Sequence, residues 1–343
     1  MSDGQVRVRV EGRTARLSLD RPEALHALNR PMCEAINAAL LSWRGDPAVA
    51  LVMLDHESGR GFCAGGDVRA AAADPEAARA FFRTEYKMNA LLHGYPKPVV
   101  VFMDGVVMGG GAGLAMPARY RVATERTLFA MPETAIGLFP DVGAGWWLPK
   151  LPGRTGLWLA LTGARLDAAD CLLLGIATDH VASASLPELK AALIERPEAV
   201  DTLLTEYEAD AGEPAVARHH DAIDRAFSAA SVEAVLARLD AEATDWAAAQ
   251  ARAMRSASPL TLKLGFQLLA SRPASFEAEM AREYRLAWRR AESHDFREGV
   301  RALLVDKDRT PRWDPPTLEA ATQSQLDAYF APLPVESEWN PLI

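Results

Sequence analysis

Three loops carry the residues whose types and spacing could do chemistry. They are Gly61–Asp67, Gly105–Gly113 and Met131–Gly143. Glycine leaves the main chain open to close approach by a ligand, because it has no side chain in the way. Backbone N–H groups aimed at one oxygen stabilise the negative charge that develops on it, by about 3–4 kcal/mol per donor. The first two loops are therefore candidates for holding a carbonyl oxygen that becomes an oxyanion.

The glycines Gly109–Gly111, followed by Leu114–Met116, are typical of the start of a helix. Free N–H groups and the positive end of the helix dipole would favour an oxyanion there. The glycines alone leave open a second interpretation, in which they form a tight turn with close packing of helix on strand. The stretch lacks the GK[ST] of a phosphate loop and the correctly placed third glycine of a dinucleotide fingerprint.

The third loop carries two carboxylates, Glu133 and Asp141, which are eight residues apart and bracket Gly137 and Pro140. The segment is otherwise apolar, so both carboxylates are expected to be partly desolvated. Such surroundings push carboxyl pKa values up and apart, which suits one base or nucleophile and one acid or hydrogen-bond partner. For this segment alone, a helix-capping glutamate and a turn aspartate without a chemical role stay an open alternative.

Other reactive side chains give weaker signals. Cys63 lies in the first loop without a paired histidine base, so we expect a buried, small apolar residue. The histidines have no metal-ligand spacing and no metal is predicted, while His219 and His220 are expected to be solvated. A GxSxG serine-hydrolase elbow is absent from the sequence.

Short apolar runs predict the strands that position these loops. Val6–Val10 and Ala15–Leu19 alternate apolar and polar residues around Glu11-Gly12, which predicts a hairpin. Val49–Leu54 and Val99–Met103 are near-continuous apolar runs, as expected of buried strands, and they precede the first and second loops.

Two helices are predicted in the first hundred residues. Met32–Trp43 has helical spacing, and a second helix begins at Asp74-Pro75, with the aspartate as N-cap and the proline at the first helical position. Glu85 falls within the apolar stripe of this second helix. A carboxylate on an apolar face needs a partner or a role.

The character of the sequence changes near Pro187, after which Ala, Glu, Leu and Arg dominate and strand signals end. Tyr120–Ala123 is a further candidate strand before that point. The fold class predicted is α/β, with a mixed core at residues 1–200 and a helical region at 201–343. Helices are predicted over Ser231–Leu239, Ser258–Leu269 and Phe276–Arg290.

Length and charge exclude some classes of protein. The chain has 343 residues and 49% hydrophobic composition, enough for one large domain or a core with a smaller one. The net charge of -9 argues against nucleic acid and anionic membrane as partners, although a phosphorylated ligand needs only a local patch. No apolar run reaches the roughly 18 residues that a membrane span needs.

The cysteines and the N-terminus indicate the compartment. Cys33, Cys63 and Cys171 are odd in number and form no CxxC pair, which argues against disulfides and indicates a reducing compartment. Met1–Val10 has neither an apolar signal region nor an Arg/Ser-rich amphipathic helix. We therefore expect a cytoplasmic protein.

At these residues the sequence resembles the crotonase (enoyl-CoA hydratase/isomerase) superfamily, over about residues 6–315. Arg21–Asn29 resembles its N-terminal signature, Phe62–Asp67 its first oxyanion loop and Met108–Gly113 its second. Further segments resemble the branch of the superfamily that hydrolyses 3-hydroxyacyl-CoA thioesters: Phe81–Tyr86, Phe129–Glu133 through Phe139–Asp141, His294–Ala302 and Asp306–Asp308.

The resemblance implies a fold and residue roles. The fold would be a ββα spiral followed by helices that often mediate oligomerisation, so a homo-oligomer is left open. Gly66 and Gly110 would supply two oxyanion N–H groups. Glu133 would act as nucleophile or general base, Asp141 would work with it, and Glu85 would help to line the acyl pocket. The substrate would be an acyl-CoA, whose coenzyme A is part of the substrate, and no separate cofactor is expected.

One departure from the superfamily pattern separates two activities. Typical hydratases carry a second glutamate three residues after the oxyanion glycine, where this sequence has Gly113. Hydration uses two carboxylates around one water, so losing one should impair hydration and spare thioester cleavage. Asp141 also occupies a position that usually carries a small residue in hydratases.

The expected activity is hydrolysis of a short 3-hydroxyacyl-CoA, with 3-hydroxyisobutyryl-CoA of valine catabolism as first candidate. An enoyl-CoA hydratase or isomerase and a non-catalytic acyl-CoA-binding homologue are the alternatives.

Overall fold

The computed structural model describes residues 5–341. The interpretation of Met1–Val10 therefore falls in part on residues 1–4, which lie outside the described residues. Two compact units are interleaved along the chain. One comprises Met1–Gly66, Lys87–Phe129 and Leu166–Ala217, and the other comprises Asp67–Tyr86, Ala130–Arg165 and Arg218–Ile343. Each unit is built from segments that are distant in the sequence. The predicted division into a core at residues 1–200 and a helical region at 201–343 is of a different kind, and it stays a prediction.

Within residues 5–341, nine strands form two sheets. Their bounds are β1 Val6–Glu11, β2 Thr14–Leu19, β3 Leu51–His56, β4 Gly61–Cys63, β5 Val99–Met103, β6 Val106–Met108, β7 Tyr120–Ala123, β8 Leu128–Ala130 and β9 Asp179–His180. The larger sheet has the order β1-β2-β3-β5-β7-β9, and the smaller sheet has the order β4-β6-β8. β1 and β2 form the predicted antiparallel hairpin, with Val6 opposite Leu19, and β2, β3, β5, β7 and β9 run parallel.

The larger sheet has an apolar core in the first unit. Every residue of β5 is buried, which explains why Val99–Met103 is apolar without alternation. Leu51, Val100 and Phe102 belong to one buried cluster that also includes Leu189 and Leu203. Burying such a side chain fully contributes about 1.5–3 kcal/mol, so this cluster holds the strands from which the glycine loops extend.

The helices are distributed along the whole chain and dominate after β9. Their bounds are α1 Arg30–Trp43, α2 Val68–Ala73, α3 Pro75–His93, α4 Gly110–Ala115, α5 Ala144–Trp147, α6 Thr155–Thr162, α7 Ala168–Leu173, α8 Leu186–Glu195, α9 Val200–Glu206, α10 His220–Phe227, α11 Val232–Ala241, α12 Asp245–Ser256, α13 Pro259–Ala270, α14 Phe276–Arg290, α15 His294–Val300 and α16 Gln323–Phe330. A 3-10 turn covers Glu133–Ile136.

The predicted elements are confirmed with small shifts of their ends. The predicted strand Val49–Leu54 begins two residues later, at Leu51. The Ser258 side chain accepts a hydrogen bond from Thr261 N at the start of α13, as the Ser-Pro pair predicts. The short strands β4, β6, β8 and β9 were not predicted, because two or three residues are too few to show a period.

Candidate active site

The two glycine loops lie next to each other in the first unit. Gly65 has a φ of 113°, which favours glycine, and a Cβ built on it would lie 3.8 Å from Gly110 N. Leu28 N donates to Gly65 O at 2.7 Å, and Leu28 also forms a parallel bridge with Gly66. The structure therefore brings the segments of Gly66 and Gly110 together, although their roles in stabilising an oxyanion stay a proposal.

The glycine cluster also serves close packing. A Cβ on Gly111 would lie 2.3 Å from Cys63 O, a distance that no side chain tolerates without a shift of the main chain. Cys63 is fully buried, which confirms the prediction of a small buried residue. Both interpretations of the glycines, close packing and access for a ligand, are therefore compatible with this geometry.

Gly113 stands where typical hydratases carry a second glutamate, and its carbonyl oxygen accepts a hydrogen bond from a buried side chain. Gly113 O accepts a hydrogen bond of 2.9 Å from Asn89 Nδ2, and Asn89 is fully buried on α3. No role was predicted for this asparagine.

The three predicted carboxylates are all buried in the second unit. Glu85 lies on α3, Glu133 is the first residue of the 3-10 turn, and Asp141 precedes α5. Their exposed fractions are 2%, 4% and 4%. The prediction that Glu133 and Asp141 are desolvated is confirmed, and an isolated surface cap is excluded for Glu133.

Burial and neighbouring groups shift the pKa values of the three carboxyl groups. Burial raises the pKa of Glu85 well above its usual value, and the Asp141 and Glu133 carboxylates raise it further. Burial, followed by the charge of Asp141, likewise raises the pKa of Glu133 well above its usual value. Burial raises the pKa of Asp141 more than the hydrogen bond from Tyr86 lowers it, so that its pKa is about 6. Asp141 is therefore mostly ionised at pH 7, and its charge favours the protonated forms of the two glutamates.

Two carboxyl oxygens of this cluster lack a partner. Oε1 of Glu85 and Oε2 of Glu133 are buried and make no hydrogen bond with any described residue. A buried polar atom left unpaired costs about 1–3 kcal/mol. Such atoms suit a site in which a ligand supplies the missing donors.

Tyr86 had no predicted role, and the structure shows that it is hydrogen-bonded to Asp141. Its hydroxyl donates a hydrogen bond of 2.7 Å to Asp141 Oδ2, and the tyrosine is fully buried. Burial raises the pKa of Tyr86 well above its usual value, and the charge of Asp141 raises it further, so the phenol stays protonated as a donor.

α14 anchors the segment that carries the two acids. Glu283 accepts hydrogen bonds from Gly143 N at 2.8 Å and Gly145 N at 3.1 Å, just after Asp141. Arg290 Nε donates to Gly137 O at 3.0 Å, just after the turn that starts with Glu133, and Nη2 donates to the same oxygen. Glu283 and Arg290 are 0% and 1% exposed.

These anchors could have been found from the sequence by the argument used for Glu85. Glu283 and Arg290 share the buried face of α14 with Phe276, Met280 and Ala287, so they are charges within an apolar stripe.

Among residues 5–341, no group of three or more His, Cys, Asp or Glu side chains is arranged to hold a metal ion. In the same range, no helix combines the length and the apolar character that crossing a membrane requires. The His219 ring is half-buried and stacks on Trp246 with the ring centroids 4.9 Å apart, so the expectation that it is solvated holds only in part.

Comparisons with known proteins identify the family. Residues 14–330 match the family model described as enoyl-CoA hydratase/isomerase. A mitochondrial 3-hydroxyisobutyryl-CoA hydrolase of Xenopus tropicalis is 42% identical, covering 97% of this chain and 90% of that protein. The chain belongs to the enoyl-CoA hydratase/isomerase family.

Solved structures agree with this assignment. A carnitinyl-CoA dehydratase from Mycobacterium thermoresistibile superposes with a TM-score of 0.91 at 36% identity, covering 97% of this chain and 98% of that one. An enoyl-CoA hydratase from Rhodobacter sphaeroides 2.4.1 superposes with a TM-score of 0.89 at 40% identity, covering 96% and 98%. The predicted crotonase-like α/β fold is confirmed.

Proposed function

We propose that this protein hydrolyses a short 3-hydroxyacyl-CoA thioester, with 3-hydroxyisobutyryl-CoA of valine catabolism as the first candidate substrate. The observation that carries the proposal is the buried cluster of Glu85, Glu133 and Asp141, with its two unpaired carboxyl oxygens. The name of the Xenopus relative supports the same activity.

Thioester hydrolysis replaces a C–S bond by a C–O bond. A base must take a proton from water, or a nucleophile must attack first, and a proton must reach the departing sulfur. Burial and the charge of Asp141 raise the pKa of Glu133 well above its usual value, which makes its carboxylate form a stronger base. It either activates water or attacks the carbonyl carbon to give a transient anhydride that water then cleaves. In both routes the carbonyl oxygen becomes an oxyanion, which the amides of Gly66 and Gly110 would stabilise.

Asp141 and Glu85 have separate roles in this proposal. Asp141, with a pKa of about 6, is the ionised member that accepts a hydrogen bond or moves protons beside Glu133. Oε1 of Glu85 is the buried acceptor left free for the β-hydroxyl of the acyl group. This assignment explains why the substrate would need a hydroxyl at its β-carbon. A hydrogen bond to a buried, otherwise unpaired oxygen discriminates strongly against an acyl group without that hydroxyl.

A hydratase is the second candidate, because both superposed structures are named for dehydration or hydration. Gly113 disfavours it, since the second glutamate of typical hydratases is missing there. An assay of free-thiol release beside loss of enoyl absorbance separates the two. We expect thiol release from 3-hydroxyacyl-CoA; hydration of enoyl-CoA without thiol release would refute the hydrolase.

The role of Glu133 is open to a direct test. In a single-turnover reaction in ¹⁸O-labelled water, a nucleophilic Glu133 acquires the label when its anhydride is cleaved at the enzyme carboxyl. A general base acquires none, and all the label enters the acid product. Peptide mass spectrometry of the segment that contains Glu133 reads out the difference.

We further propose a cytoplasmic location and a homo-oligomer. Cys33, Cys63 and Cys171 are buried and form no disulfide with any described residue, which supports a reducing compartment. The Xenopus relative is named as mitochondrial, so fractionation of the source cell is the test of location. The superfamily resemblance supports the oligomer, which analytical ultracentrifugation tests.

A further inference from the structure

A cavity of about 650 Å³ opens in the second unit and has no part in the proposed reaction. It is lined by α5, α6, α13 and the segments that follow α10 and α13, and none of its lining residues belongs to the proposed catalytic set. Trp146, Leu157, Phe227 and Phe266 give it an apolar wall. A volume of this size is in the range of small-molecule sites.

The charged residues of this cavity are all cations. Lys150, Arg154 and Arg272 line it, and no carboxylate does, although the chain carries a net charge of -9. Lys150 Nζ lies 3.4 Å from the centre of the Trp146 ring. The neighbouring Asp224 faces the main chain, where its Oδ1 accepts a hydrogen bond of 2.7 Å from Arg154 N. None of the three cations forms an ion pair with a described residue.

We propose that this cavity is a second ligand site, which takes an amphiphilic anion: a carboxylate, sulfonate or phosphate joined to an apolar body. The three cations attract the anionic group, and Arg guanidinium in particular matches such groups with paired donors. The apolar wall buries the rest of the molecule, and Trp146 contributes an aromatic face.

A matched pair of probes tests this assignment. 8-Anilinonaphthalene-1-sulfonate carries an apolar body and a sulfonate, and N-phenyl-1-naphthylamine carries the same body without the charge. Their dissociation constants are measured by fluorescence with the wild-type protein and with the triple variant Lys150→Gln, Arg154→Gln, Arg272→Gln. The control is Arg252→Gln, which removes an exposed arginine of α12 outside the cavity.

The expected result is a loss of about tenfold in affinity for the sulfonate in the triple variant, as three exposed charges together would contribute. The uncharged probe should change by less than about twofold, and the control should bind both probes as the wild type does. Saturating coenzyme A should leave the sulfonate bound.

Three results would overturn the proposal. They are equal sulfonate binding by the triple variant and the wild type, an equal loss for both probes, and competitive displacement of the sulfonate by coenzyme A. Thermal melting shows whether the triple variant is folded. If it is not, the single variants Lys150→Gln and Arg272→Gln replace it, each with an expected loss of about twofold for the sulfonate alone.

Discussion

The hydroxyl of Tyr86 donates a 2.7 Å hydrogen bond to Oδ2 of Asp141, and both residues are buried. Burial raises the pKa of Asp141 and this bond lowers it, and the balance leaves the pKa at about 6. The hydrogen bond from Tyr86 therefore helps to keep Asp141 ionised, whereas burial favours the protonated form of all three acids. Since that charge in turn raises the pKa values of Glu85 and Glu133, a single phenol influences the protonation of the whole cluster.

Tyr86→Phe should shift the pH dependence of hydrolysis. Without the phenol, the pKa of Asp141 rises above about 6, so the acidic limb of kcat/KM should move to higher pH. The matched control is Tyr95→Phe, because the Tyr95 hydroxyl donates to Leu40 O instead. An acidic limb that is unchanged in Tyr86→Phe would show that the ionisation of Asp141 does not limit the rate.

Glu133→Gln should lose at least about 100-fold in kcat, as the removal of a general base or nucleophile usually does. The amide keeps the size of the side chain, so the fold should be retained. Glu336→Gln, at an exposed position, is the control and should hydrolyse substrate at the wild-type rate. A Glu133→Gln variant that is nearly as active as the wild type would remove Glu133 from the mechanism.

Glu85→Gln should stabilise the ligand-free protein at neutral pH. Its folded-state pKa is raised, so below the usual glutamate pKa both the folded and the unfolded state hold the proton and no difference arises. As pH rises, the unfolded state ionises first, and the wild-type protein loses stability until the pH passes the raised pKa. The free energy of unfolding in urea should thus favour Glu85→Gln at pH 7.5 and show little gain at pH 4. An equal gain at both pH values would contradict this origin.

Arg290→Met should lower both stability and turnover. It leaves the buried Gly137 carbonyl without its guanidinium donor, at a cost of about 1–3 kcal/mol, and frees the turn that begins with Glu133. Arg289→Met is the control on the same helix, because Arg289 donates to Tyr329 O and Pro332 O. We expect kcat per folded molecule to fall about tenfold for Arg290→Met, as a small misplacement of a catalytic group would produce. Equal turnover by the two variants would exclude a positioning role for Arg290.

The sequence predicted those parts of the fold whose signals are local. Val99–Met103 is a strand because five apolar residues follow one another, and α13 starts after Ser258 because a Ser-Pro pair caps a helix. Glu85, Glu133 and Asp141 were found because carboxylates stand out in apolar stretches. The burial of all three is confirmed.

The residues that position the acids were missed because their partners are distant in sequence. Tyr86 and Asp141 are 55 residues apart, and Glu283 and Gly143 are 140 residues apart. No local pattern pairs a tyrosine with a particular aspartate, or a helix glutamate with a particular loop amide. Tertiary packing alone brings these groups together.

Free-thiol release from 3-hydroxyisobutyryl-CoA, measured beside isobutyryl-CoA, tests the proposed function most directly. The two thioesters differ only in the hydroxyl that Glu85 would bind. We predict efficient release from the hydroxylated substrate, a loss of at least about tenfold for the analogue without the hydroxyl, and almost no release with Glu133→Gln. Absence of thiol release from 3-hydroxyisobutyryl-CoA with the folded wild-type protein would contradict the proposed function.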